Sequence, residues 1–190
     1  MSYRKENLKF WIMTIIFSFS VTTISCFGHY VNENQDSDSF RIFNSLIFYN
    51  ASPSIPRGVY IRIPMLWIKN GDYVVYHPNK EATDIAFERS WIKSKHITFI
   101  KRVRGIQGDI YSIDINTGFY INGRYYGQIS VCDGTGKAMP IHSGVHYVSQ
   151  NEFLPVGESS MSFDGRYTGT VPLENIKAKV IPLFTEAMLP

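Results

Sequence analysis

The chain has 190 residues, 44% of them hydrophobic and 15% aromatic, which suffices for one domain with a real core and leaves little for a second. Charged residues make up 18%, the net charge is +3, and there is no dense Lys/Arg stripe, which argues against nucleic acid as a partner. The 12 Tyr and 13 Phe suit the pleated surfaces of a β-rich domain.

The N-terminus sets the expected compartment. Phe10 to Phe27 is a run without a charge, about 27 Å long as a helix at roughly 1.5 Å per residue, enough to span a bilayer. Arg4, Lys5 and Lys9 precede it, and the acidic stretch Asn32 to Asp38 follows. The positive-inside rule therefore predicts a cytoplasmic N-terminus (1–9), a transmembrane anchor (10–27), a spacer (28–39) and a domain (40–190) on the outer side of the cytoplasmic membrane. A cleaved secretory signal is the alternative, and Phe27 and His29 stand where its exit would want small residues. A lipoprotein acylated at Cys26 is disfavoured by Thr23, where a bulky aliphatic residue is expected. Cys26 and Cys132 are isolated, so no structural disulfide is expected.

Beyond the spacer, Phe40 to Tyr49 is an apolar approach to a Pro- and Gly-bounded turn at Asn50 to Tyr60. Gly58 to Pro64 predicts a strand with Val59, Ile61 and Ile63 on one face. Met65 to Ile68 is an apolar patch in a loop, open to two readings, lipid contact or core. Asn70-Gly71 predicts a turn and Asp72 to Tyr76 a strand, stopped by His77-Pro78. Thr83 to Lys93 predicts the one soluble helix, capped by Thr83. Strands are predicted at Ile97 to Val103, Ile110 to Ile115, Phe119 to Asn122, Gly144 to Ser149 and Ile176 to Leu183. Asn116-Thr117-Gly118 makes a hairpin turn, and Asp133 to Lys137 a Gly-rich loop. The expected fold is mainly β, an antiparallel domain with one short helix, preceded by a transmembrane helix.

Two stretches carry chemistry. Ser54 lies between Pro53 and Pro56, which restrict the backbone, as a nucleophile that must not wander requires. Ser52 lies two residues earlier and in an extended segment points the same way, beside the Ser54 N–H, as an oxyanion donor. Lys101 sits in Phe99 to Val103, on the strand face of Phe99 and Val103, while Arg102 and Arg104 share the wetter face. Burial lowers a lysine's pKa, and a neutral amine can take a serine's proton. Taken singly, each has a plainer reading, an ordinary turn serine and a lysine snorkelling to solvent. His142 and His146 are spaced as helical metal ligands, but Gly144 and Val145 between them predict turn and strand, so no metal site is expected. No G-x-S-x-G elbow is present.

These segments resemble the type I signal peptidases. Ser54-Ile55-Pro56 and Gly71 to Val75 look like that family's serine box and following strand. Asn50, Ser52, Ser54, Pro56, Gly58 and Tyr60 are most similar to the serine box of the TraF-type peptidases of conjugative transfer systems. Phe99 to Asp109 (FIKRVRGIQGD) is similar to the family's lysine box, and Ser162 to Gly169 (SFDGRYTG) to its S-x-D-S-R-Y-x-G box. The resemblance runs from about residue 40 onward and implies a signal-peptidase-like β-domain. It implies Ser54 as nucleophile, Lys101 as general base, Ser162 as a hydroxyl bonded to the lysine amine, and Asp164 and Arg166 as a structural ion pair. Ile55 replaces the usual Met, Gln107 the usual Pro and Gly165 the usual Ser, and the box opens with Gly157-Glu158-Ser159 in place of G-D-N.

The function so implied is a membrane-anchored serine endopeptidase with a Ser/Lys dyad and no cofactor or metal. Its substrate would be a secreted precursor, a conjugative pilin by the TraF likeness, with linear and cyclic products both open. A general type I signal peptidase is the alternative. The lipid bilayer and the conjugative transfer machinery are the other expected partners. A self-cutting regulator is disfavoured by the hydrophobic N-terminus, and a non-enzymatic scaffold by the retention of Ser54, Lys101 and Ser162.

Overall fold

Runs of aromatic and β-branched residues become strands through most of the body formed by residues 47–188. The computed structural model describes residues 45–188. The expected anchor 10–27, the spacer 28–39 and Cys26 lie outside them, and no helix among the described residues is long and apolar enough to cross a membrane. In chain order the strands are β1 (Ile47–Asn50), β2 (Gly58–Ile63) and β3 (Tyr73–Tyr76), followed by the helix α1 (Lys80–Glu88). Then come β4 (Phe99–Gly105), β5 (Ile110–Asp114), β6 (Gly118–Ile121), β7 (Arg124–Gly127), β8 (Gly144–Tyr147) and β9 (Glu152–Val156). The one-turn helix α2 (Gly165–Thr168), β10 (Val171–Pro172) and β11 (Ile176–Thr185) complete the body.

All strand pairs are antiparallel. They make a seven-stranded sheet of order β1-β2-β11-β3-β4-β9-β10 and a four-stranded sheet of order β7-β6-β5-β8. The long strand β11 lies between β2 and β3, pairing Ile181 with Ile61 on one side and Lys179 with Val74 on the other.

Period-two alternation explains the core. All four residues of β3 are buried, two to each side. Tyr73 and Val75 join Ile55, Tyr60, Ala178 and Val180, with Tyr60 and Tyr73 meeting edge-on at 5.4 Å. Val74 and Tyr76 join Val103, Phe153 and Val171 on the opposite face. A third cluster, around Tyr111, Ile113, Phe119 and Leu154, fills the space behind the smaller sheet.

Several sequence expectations shift. The helix runs from Lys80 to Glu88, and its N-cap is Asn79, which makes no side-chain cap bond. Thr83 is inside it, buried, with its hydroxyl bonded back to the Lys80 carbonyl at 2.8 Å. The helix ends early because Ser90 turns into the left-handed region, φ 58°. In β2 the residue carried into the core is Tyr60, and Val59, Ile61 and Ile63 are only half-buried. Four strands, β1, β7, β9 and β10, go beyond those the sequence predicts. β7 follows a two-residue turn at Asn122-Gly123, both with positive φ, the mark of a tight hairpin. β9 lacks alternation, being buried at four of its five residues, and contains Pro155.

Candidate active site

The serine turn is wound on Asn50. Its amide nitrogen donates to the carbonyls of Ser52, Ile55 and Pro56 at 2.8, 3.1 and 3.2 Å, and its oxygen accepts from the Ser52 N–H at 3.1 Å. One buried side chain thus satisfies three carbonyls and one N–H of a turn that has no sheet partners. Tyr60 adds a bond to the Pro56 carbonyl at 2.7 Å. Gly58 closes the turn, because a Cβ there would fall 2.2 Å from the Phe184 carbonyl oxygen. Ile55, the residue in place of Met, is 1% exposed and anchors the turn in the core.

Within this turn Ser52 and Ser54 point together, through the bend and not through strand alternation. The Ser52 hydroxyl lies 2.9 Å from Ser54 Oγ and accepts from the Ser54 N–H at 3.2 Å. Ser54 is buried.

Lys101 takes the inward side of β4 with Val103, directly across from Val74 on β3. It is 5% exposed, and its amine donates to Ser162 Oγ at 3.1 Å. Burial among apolar neighbours pushes its pKa down to about 8, against an opposing pull from Asp164. Arg102, on the outward face, stacks over Tyr73 at 4.1 Å and pairs with Glu158.

Residues 157–166 bind these pieces together. Gly157 sits where any side chain would collide, since a Cβ would lie 2.3 Å from Ser162 Oγ and 2.7 Å from the Ser54 carbonyl oxygen. The Glu158 N–H donates to that carbonyl at 2.6 Å, and its carboxylate accepts from the Tyr73 hydroxyl at 2.7 Å. Asp164 accepts from the Gly157 N–H at 2.7 Å and from Arg166 through both oxygens, at 2.9 and 2.8 Å. Arg166, 2% exposed, also donates to the carbonyls of Ser159 and Ser160. The ion pair therefore shapes the loop that carries Ser162. Gly165, in place of Ser, packs against β9 so closely that a Cβ would lie 2.7 Å from the Pro155 carbonyl oxygen. Gln107, in place of Pro, lies on an exposed turn.

Ser52, Ser54, Lys101 and Ser162 line one cavity of about 680 Å³. No hydrogen bond joins Ser54 to Lys101 here; each hydroxyl and amine bonds to its other neighbour. Asp164 and Arg166 stand behind the cavity, not in its lining. Four contributors escaped sequence reasoning in these roles: Asn50, Tyr73, Glu158 and the Arg89–Asp133 pair, of which Asp133 lines the cavity. The Asn at the head of the turn was the available signal for the first. His146 bonds to the His142 carbonyl at 2.8 Å and stacks on Tyr111, and no metal-holding group of His, Cys, Asp and Glu occurs among the described residues. Cys132 is an exposed free thiol. Met65, Leu66 and Trp67 are exposed, at 44%, 81% and 67%, while Ile68 packs on the core.

The family model described as signal peptidase, peptidase S26, matches residues 4–184. No curated protein matches the chain. Among solved structures, a signal peptidase I from Enterococcus faecalis is similar at 12% identity and TM-score 0.37, over 62% of this chain and all of that one.

Proposed function

This chain belongs to the peptidase S26 family of signal peptidases, and on that premise we propose that Ser54 is its nucleophile and Lys101 its general base. The family makes it a serine endopeptidase acting on pre-proteins. The observation that carries the assignment is the meeting, in one cavity, of a rigidly held serine and a buried lysine whose amine is already oriented by Ser162.

The chemistry follows from these positions. At pH 7 a pKa of about 8 leaves roughly a tenth of Lys101 neutral. The neutral amine accepts the Ser54 proton as Oγ attacks the scissile carbonyl. The Ser54 N–H and the Ser52 hydroxyl, now bonded to each other, turn to the oxyanion. The Lys101 ammonium then protonates the leaving amine. Water, deprotonated by the same amine, attacks the ester carbonyl, and Ser54 recovers its proton.

Within the family, the arrangement Asn50, Ser52, Ser54, Pro56, Gly58 and Tyr60 favours the TraF-type subtype and a pilin precursor as substrate. The specific observation is that four of these six act as one unit, with Asn50 and Tyr60 bonded to the Ser52 and Pro56 carbonyls. The uncharged run 10–27 would anchor the chain in the cytoplasmic membrane with the peptidase domain outside. The exposed Met65, Leu66 and Trp67 would meet the lipid interface there. Incubating the full-length chain with a candidate pro-pilin, and reading product masses, tests both levels. Loss of all cleavage in Ser54→Ala and Lys101→Ala is expected, and full activity in either removes the dyad. A product lighter than the hydrolysed one by a water marks cyclisation.

A further inference from the structure

The cavity that holds Ser54 and Lys101 runs on well past them. Its other end is lined by Ala86, Trp91, Ile92, Met139, Phe163 and Tyr167. The two ends join at Ser162-Phe163. Ser162 takes the bond from Lys101, while the next ring meets Trp91 edge-on at 5.1 Å and stacks on Tyr167 at 6.1 Å.

A clasp holds this end in shape. Arg89, at the C-terminus of α1, reaches across to the Gly-rich loop and bonds Asp133 at 2.9 Å and the Ala138 carbonyl at 2.6 Å. The pair is largely buried, with side chains 15% and 5% exposed. The guanidinium also lies 5.2 Å from the Trp91 ring centre and touches the Met139 sulfur at 3.6 Å. Asp133 is itself tied down by the Thr135 hydroxyl and the N–H groups of Thr135 and Lys137. The Tyr167 hydroxyl is taken by the Ser130 N–H at 3.0 Å. The residues named at this end are mainly apolar, and among the described residues no fully buried side-chain polar atom lacks a partner.

We propose that this end of the cavity is a substrate subsite for one bulky apolar or aromatic side chain of the precursor, with the Arg89–Asp133 clasp setting its width. The occupant is fixed by continuity: a peptide whose backbone lies at Ser54 has its neighbouring side chains within the same cavity. The subsite rests on reading the cavity as a peptidase site, so binding and cleavage are measured apart.

The probes are decapeptides of alanine and serine in which a single phenylalanine is walked through every position. Binding to the full-length Ser54→Ala chain is measured by calorimetry. Phenylalanine at one position should tighten binding about tenfold or more. Filling the chamber with Ile97→Trp or Met139→Trp should erase that gain, and Arg89→Gln should blunt it. Ile97 also lines the cavity and is 38% exposed, so its substitution does not threaten folding. Equal binding at every position, or a gain that survives both filling substitutions, overturns the subsite. A gain indifferent to Arg89→Gln overturns the role of the clasp. Peptides that obey the binding rule but are never cut by the wild-type chain uphold the subsite and count against the dyad.

Discussion

The backbone N–H of Glu158 donates to the carbonyl oxygen of Ser54 at 2.6 Å, and the residue before it, Gly157, has no room for a side chain. The loop after β9 thus presses against the serine turn while presenting Ser162 to Lys101 from its other end.

Gly157→Ala should therefore separate Ser54 from Ser162. The added methyl cannot be housed without moving one of them by a substantial part of an ångström. A loss of about a hundredfold in kcat is expected, with about 1–3 kcal/mol of destabilisation. Steady-state kinetics and thermal unfolding of the same preparation check both, and near-normal kcat in the folded variant would contradict the account.

Activity should climb with pH. With a Lys101 pKa of about 8, kcat/KM is expected to rise through an inflection near that value and level off above it. A flat profile with chemistry rate-limiting would exclude the free amine as base.

The same burial should cost stability. The folded pKa lies below the ordinary 10.5, so the folded state binds fewer protons between about 8 and 10.5, and stability rises with pH across that window. Lys101→Met removes the buried ammonium and should be inactive yet more stable, by about 2 kcal/mol at pH 7. That gain should shrink above pH 8 and vanish beyond 10.5. Denaturant melts at several pH values test it.

Asn50→Asp should be nearly as damaging as Asn50→Ala. Aspartate keeps the acceptor for the Ser52 N–H but brings a carboxylate against three carbonyl oxygens that now receive N–H donors. A drop of about tenfold or more in kcat and a stability loss of about 1–3 kcal/mol are expected, read by kinetics and unfolding.

Asp164→Asn leaves the Arg166 guanidinium buried with a neutral partner. A loss of about 3–5 kcal/mol in stability is expected from breaking so buried a pair, measurable by denaturant unfolding.

What the sequence disclosed follows the range of the interactions involved. The inward direction of Lys101 was legible because strand alternation is local, and the hairpin at 116–118 because its turn residues announce it. Asn122-Gly123, both at positive φ, is the local signature of the turn into β7. β9 was hidden by burial on both faces, which abolishes alternation. Thr83 looked like a cap because hydroxyls favour helix starts, yet tertiary packing moved the start to Lys80. The grip of Glu158 on Ser54 and of Arg89 on Asp133 joins residues far apart in the chain, and no local pattern announces such partners.

The placement of β11 bears on the order in which the sheet can be completed. The strand that leads out of the serine turn and the strand beside the lysine are not neighbours; β11, synthesised after both, is the wedge between them. Until residue 176 is reached, the serine turn and the lysine strand are joined through the loop 157–166 and not through the sheet. The last strand made thus closes the sheet on which the serine turn and the lysine strand both rest.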